Sequence, residues 1–138
     1  DVRIQDNYGN TALHYACTAD EISDNVVEQL VAAGVDINYT NNVGETALHI
    51  ALRKNKEYVI QVLLSTGPDL SIQSNNGNTA LHYACIDRVI SDNVVDKLLA
   101  AGVDINCKNI FGETALHIAS KKNREDVVQV LLRKGPDV

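Results

Sequence analysis

Tryptophan is absent from the 138 residues, phenylalanine occurs once and tyrosine five times. Any hydrophobic core must therefore be built from Ala, Leu, Val and Ile. No apolar run exceeds a few residues, so no segment is long enough to cross a bilayer as a helix. No charged-then-apolar leader opens the chain, and an intracellular location, cytoplasmic or nuclear, is expected. Cysteine is scarce: there are three, an odd number, with no Cys-x-x-Cys. Cys17 and Cys85 fall at equivalent places of a repeating unit and are expected to be small buried thiols. Clustered bases are also missing. Residues 1–73 hold 10 acids and 4 bases, and residues 74–138 hold 8 of each, for a net charge of −6. Affinity for phosphates needs grouped Lys and Arg, so no direct nucleic-acid partner is expected.

The chemistry of catalysis is missing too. The sequence has no GxxxxGK[ST] and no GxGxxG. Its serines fall in expected caps and loops, and its acids are scattered, with no sign of a cleft that would pair them. The expectation is a chain that is not an enzyme and holds no cofactor and no metal. Its 45% hydrophobic and 22% charged residues are those of a globular protein.

What is present is repetition. GNTALHYA occurs at 9–16 and 77–84, and GETALHIA at 44–51 and 112–119. The four TALH tetrads start at Thr11, Thr46, Thr79 and Thr114, spaced by 35, 33 and 35 residues. A fixed period of this size marks stacked supersecondary units. A longer period lies over it: residues 1–68 match 69–136 at 46 of 68 positions.

Within one unit, Asn41-Asn42-Val43-Gly44 reads as a turn. Thr46 is expected to cap a short helix over 47–52 whose Leu48 and Ala51 face inward. Asn55 reads as the cap of a second, mostly apolar helix through Val59, Ile60, Leu63 and Leu64. Gly67 ends that helix in a left-handed cap and Pro68 prevents its continuation. Residues 69–73 are expected to run extended to the next turn. The first and third units carry two extra residues, within 18–25 and 86–93, where Ser23 and Ser91 are placed to cap the second helix. Neither helix pair can bury its apolar faces alone, so neighbouring pairs must stack.

These residues resemble the ankyrin repeat family over essentially the whole chain. Gly44, Thr46, Ala47, Leu48, His49 and Ala51, then Val59, Leu63, Leu64, Gly67 and Asp69, carry the resemblance with their counterparts. Ala12, Ala47, Ala80 and Ala115 stand where the family usually has proline, which is favoured at a first helical position but not required. The resemblance implies an all-α solenoid of helix-turn-helix units joined by β-hairpin-like loops. It gives one domain over 1–138, with repeats near 6–40, 41–73, 74–108 and 109–138. The phase of the repeat at both ends leads us to expect a fragment of a longer array.

His14, His49, His82 and His117 recur once per unit. As a metal ladder they fail, because stacked helices lie roughly 8–10 Å apart and zinc needs its ligands within about 2.1 Å. The resemblance implies instead that each imidazole bonds nearby backbone or threonine. It also implies a monomeric, non-catalytic scaffold that holds a protein partner along a concave strip of hairpin tips and first helices. Carried over by position, that strip takes Asn7, Tyr8, Asn10, Thr18 and Ala19, then Asn42, Val43, Glu45, Arg53 and Lys54. It continues through Asn75, Asn76, Asn78, Ile86 and Asp87, then Ile110, Phe111, Glu113, Lys121 and Lys122. The 68-residue halves differ at several of these places: Tyr8/Asn76, Thr18/Ile86, Ala19/Asp87, Asn42/Ile110 and Val43/Phe111. Asn38 and Asn106 lie in segments that resemble hydroxylation sites of the family, and the alternative is that both simply bond the turn. Asn38-Tyr39-Thr40 also spells a glycosylation sequon, read as chance. Two other functions fit the same letters: a regulatory or targeting segment of a larger enzyme, channel or pathogen effector, and an engineered repeat protein without a natural ligand.

Overall fold

Each helix pair starts at a threonine. The hydroxyls of Thr11, Thr46 and Thr114 accept from the backbone N–H of the histidine three residues on, and that histidine's Nδ1 accepts from the threonine's own N–H. Two of the N–H groups that a helix start leaves open are thereby satisfied. Thr79 donates to His82 Nδ1 in the same way, at 3.0 Å.

The computed structural model describes residues 1–19, 24–86 and 90–135. Eight helices and no strand occur among them: α1 (Ala12–Thr18), α2 (Asp24–Ala32), α3 (Ala47–Arg53), α4 (Glu57–Ser65), α5 (Ala80–Ile86), α6 (Asp92–Ala100), α7 (Ala115–Lys121) and α8 (Glu125–Arg133). They form two compact units, Asp1–Asp69 and Leu70–Val138. The boundary coincides with the internal duplication. In the first unit α1 packs on α2 and α3, and α4 packs on α2 and α3. In the second, α5 packs on α6 and α7, and α8 packs on α6 and α7. Leu13, Val27, Ile50 and Leu63 are buried in the one, and Leu81, Val95, Leu98 and Leu131 in the other. Each such side chain contributes roughly 1.5–3 kcal/mol on burial. Cys17 and Cys85 are buried free thiols, pushed up to about 12 by desolvation.

The helix ends correct two sequence expectations. Asn55 does not cap α4. It takes a left-handed φ of 52° and closes α3, with its N–H on the Leu52 carbonyl and the Lys56 N–H on the Ala51 carbonyl. That pair of bonds is a Schellman closure, and asparagine is the side chain that best tolerates such a φ after glycine. Asn123 repeats it at φ 56°. The residue at the start of α4 is Lys56, whose side chain makes no capping bond. Ser91 does stand at the start of α6, but its hydroxyl does not bond the helix. Ser23 lies outside the described residues. The 69–73 segment is not wholly extended either, since Leu70 and Ser71 form a turn. Gly67 ends α4 with φ 71°, as its place before Pro68 led us to expect.

The histidines do more than cap. His14 Nε2 donates to the Glu45 carbonyl at 2.9 Å, and His82 Nε2 donates to the Glu113 carbonyl at 2.9 Å. Each ring therefore ties one helix start to the hairpin of the next repeat, 31 residues on and within the same compact unit. His117, in the last repeat, is exposed, and among the described residues it bonds Thr114 alone. Burial holds the His14 and His82 imidazoles below their ordinary value of 6.5. The neutral ring fits the geometry, because Nδ1 accepts from an N–H and cannot do so once protonated. The unfolded chain takes up these protons near 6.5 while the folded chain still resists them. Stability from these two sites is thus full above that pH and declines as pH falls through the window below it. Urea midpoints should drop between pH 7 and roughly pH 5.5, before most carboxylates titrate. A flat profile would mean that the rings are not held neutral.

Candidate interaction surface

Three of the hairpin tips are built around one side-chain acceptor each. Asn41 Oδ1 accepts from the N–H groups of Val43 and Glu45, at 3.1 and 3.0 Å. Asn109 Oδ1 does the same for Phe111 and Glu113, at 2.9 and 3.0 Å. Asp6 takes this place in the first hairpin, with Tyr8 and Asn10 as donors. Within each unit the two tips then join. The Asn42 N–H donates to the Tyr8 carbonyl at 2.9 Å, and the Ile110 N–H to the Asn76 carbonyl at 3.0 Å. Asn41 Nδ2 donates to Asn10 Oδ1, and Asn109 Nδ2 to Asn78 Oδ1. A backbone held so firmly leaves the intervening side chains to point away from it. Phe111 is 74% exposed, Tyr8 71%, Ile110 62% and Val43 54%.

The structure sorts the sequence-derived residues into two groups. Tyr8, Asn42, Val43, Lys54, Asn76, Ile86, Ile110, Phe111 and Lys122 are exposed. Asn10 and Asn78 are half-buried and join the tips. Glu45 departs from the expected open strip: it is buried, and Arg53 grips both its carboxylate oxygens at 3.1 and 3.2 Å. Glu113 is half-buried, with Lys121 at 2.5 Å and Asn109 Nδ2 at 3.2 Å. The Lys121 ammonium holds the Glu113 carboxyl below the usual range. Arg53 and Lys121 are thus partly neutralised, and the exposed Lys54 and Lys122 carry the positive charge of the strip. Asp87 lies outside the described residues. Asn38 Oδ1 accepts from the Asp69 N–H at 2.9 Å, so its amide serves the turn. Asn106 is half-buried at the equivalent place.

Sequence reasoning missed Tyr15. It is 48% exposed on α1, and its hydroxyl donates to Asp6. The signal was available, since Tyr15 lies one helical turn beyond Thr11, on the first helix of its unit. Reasoning by position also missed a cleft of 210 Å³ in the second unit, which gathers Ile86, Phe111, Glu113, Lys121 and Lys122 above Ile118. A larger depression of 620 Å³ between α1 and α2, at Ala12, Ala16, Val26 and Leu30, has no charged side chain among its described lining residues. No group of three metal-ligating side chains occurs among the described residues. No described helix is long and apolar enough to cross a membrane.

A model for ankyrin repeats in three copies matches residues 21–109, and one for ankyrin repeats in many copies matches residues 91–132. No curated protein is similar enough to count as a relative.

Proposed function

The chain belongs to the ankyrin repeat family, and on that premise we propose a non-catalytic scaffold that binds a protein partner through its hairpin tips and first helices. Ankyrin repeats are generally protein–protein interaction modules. The observation that carries the finer reading is the exposure of Tyr8, Val43, Ile110 and Phe111 on tips whose backbones are bonded to one another. Rigid apolar groups in water, set among polar neighbours, suit a protein interface. Rigidity also lowers the ordering cost of binding.

A partner recovered on the immobilised chain is expected to bind more weakly to Phe111→Ala or Tyr8→Ala. The loss should reach roughly tenfold for a residue at the centre of the contact. Both side chains are exposed, so neither change should unfold the protein. Equal binding by both variants would remove these tips from the interface.

A further inference from the structure

Resting on that reading of the tips, we propose that the cleft in the second unit takes an acidic peptide segment anchored by one large apolar side chain. The first unit supplies the contrast. Its matching positions are Asn10, Asn41, Glu45, Ile50, Arg53 and Lys54, against Asn78, Asn109, Glu113, Ile118, Lys121 and Lys122. The polar frame is therefore nearly the same. The two apolar walls are not: Thr18 and Val43 in the first unit become Ile86 and Phe111 in the second. Both walls are open to solvent, at 39% and 74%, above a floor made by the buried Ile118. The volume of 210 Å³ is below that of a drug-sized pocket. It suits one side chain of a peptide.

Among the described residues, the rim favours one sign of flanking charge. Glu113 already accepts from Lys121 Nζ and Asn109 Nδ2, so its oxygens are engaged. Lys121 is a single point contact with a side chain 60% exposed, and Lys122 beside it is exposed. Lys121 can therefore swing to a ligand carboxylate while Asn109 retains Glu113. Arg53 in the first unit has less freedom, because its guanidinium holds both oxygens of the buried Glu45. The second half also opposes an acidic ligand less than the first: residues 1–73 carry 10 acids against 4 bases, whereas 74–138 carry 8 of each.

The test uses the full chain and fluorescein-labelled twelve-residue peptides, read by fluorescence anisotropy. One peptide has a central leucine flanked by glutamates. A second replaces the leucine with alanine, and a third replaces the glutamates with lysines. The glutamate–leucine peptide should bind at least about tenfold more tightly than either control, and more weakly as salt is added. The double variant Ile86→Thr with Phe111→Val should lose a similar factor, and so should Lys121→Gln with Lys122→Gln. The reciprocal Thr18→Ile with Val43→Phe should add apolar anchorage to the first unit and raise binding. Equal affinity for the lysine-flanked peptide, or binding unaltered in Ile86→Thr with Phe111→Val, would overturn the proposal. A recovered partner that loses affinity in Tyr8→Ala alone would also overturn it, while leaving the broader reading of the tips intact.

Discussion

Replacing His82 with alanine is expected to destabilise the chain by about 2–5 kcal/mol. The imidazole is 1% exposed and serves two backbone groups, the Thr79 N–H and the Glu113 carbonyl. Alanine leaves both without their partner, and each buried orphan costs roughly 1–3 kcal/mol. His117→Ala is the internal control. It occupies the same place in its repeat, is exposed, and among the described residues bonds Thr114 alone. Its loss should cost about 1 kcal/mol, the usual effect of a missing helix cap. Urea denaturation of the two variants reads the difference directly. Equal costs would mean that the bridge to the next hairpin contributes nothing, and that the histidine recurs for capping alone. His14→Ala should behave like His82→Ala, since its ring reaches Glu45 in the same way.

Gly77→Ala should cost about 2–4 kcal/mol. A Cβ there would lie 2.7 Å from the Ile110 nitrogen and 2.9 Å from the Asn109 Cα. Both are backbone atoms, so no rotamer change relieves the overlap and the tips must part. Parting them breaks the bond from the Ile110 N–H to the Asn76 carbonyl. The φ of +78° adds the ordinary left-handed penalty of roughly 1–2 kcal/mol. Gly112→Ala separates these terms, because its φ is +75° but no atom stands within 4 Å of its Cβ. It should lose only the conformational part. Gly77→Ala should also weaken the partner, because Ile110 and Phe111 ride on the displaced tip. Equal destabilisation of the two variants would show that the close approach of the tips is not what fixes this glycine.

Much of this was legible before the structure. The period, the threonine caps and the closing glycine at 67 follow from local chemistry that one short window contains. The rest depends on partners the letters do not mark. Asn55 has the right side chain for the start of a helix and for the left-handed end of one, and only the backbone bonds of Leu52 and Ala51 decide between them. The bridge from His14 ends on a carbonyl, which every residue has, so no motif announces it. Glu45 falls in the tip by position, yet it is buried because Arg53, eight residues on across α3, pairs with it. The cleft in the second unit needs Ile86, Phe111 and Ile118 from three separate stretches, and sequence spacing alone does not bring them together.

The central claim is that the tips and first helices are the surface a partner touches. Cross-linking mass spectrometry on the complex with a recovered partner tests it most directly, using the chain's own lysines. Lys54, Lys121 and Lys122 close the first helices, whereas Lys97 lies on α6 and Lys134 ends α8. Cross-links concentrated on the first three are the predicted result. Cross-links concentrated on Lys97 and Lys134 would place the partner on the second helices and contradict the account.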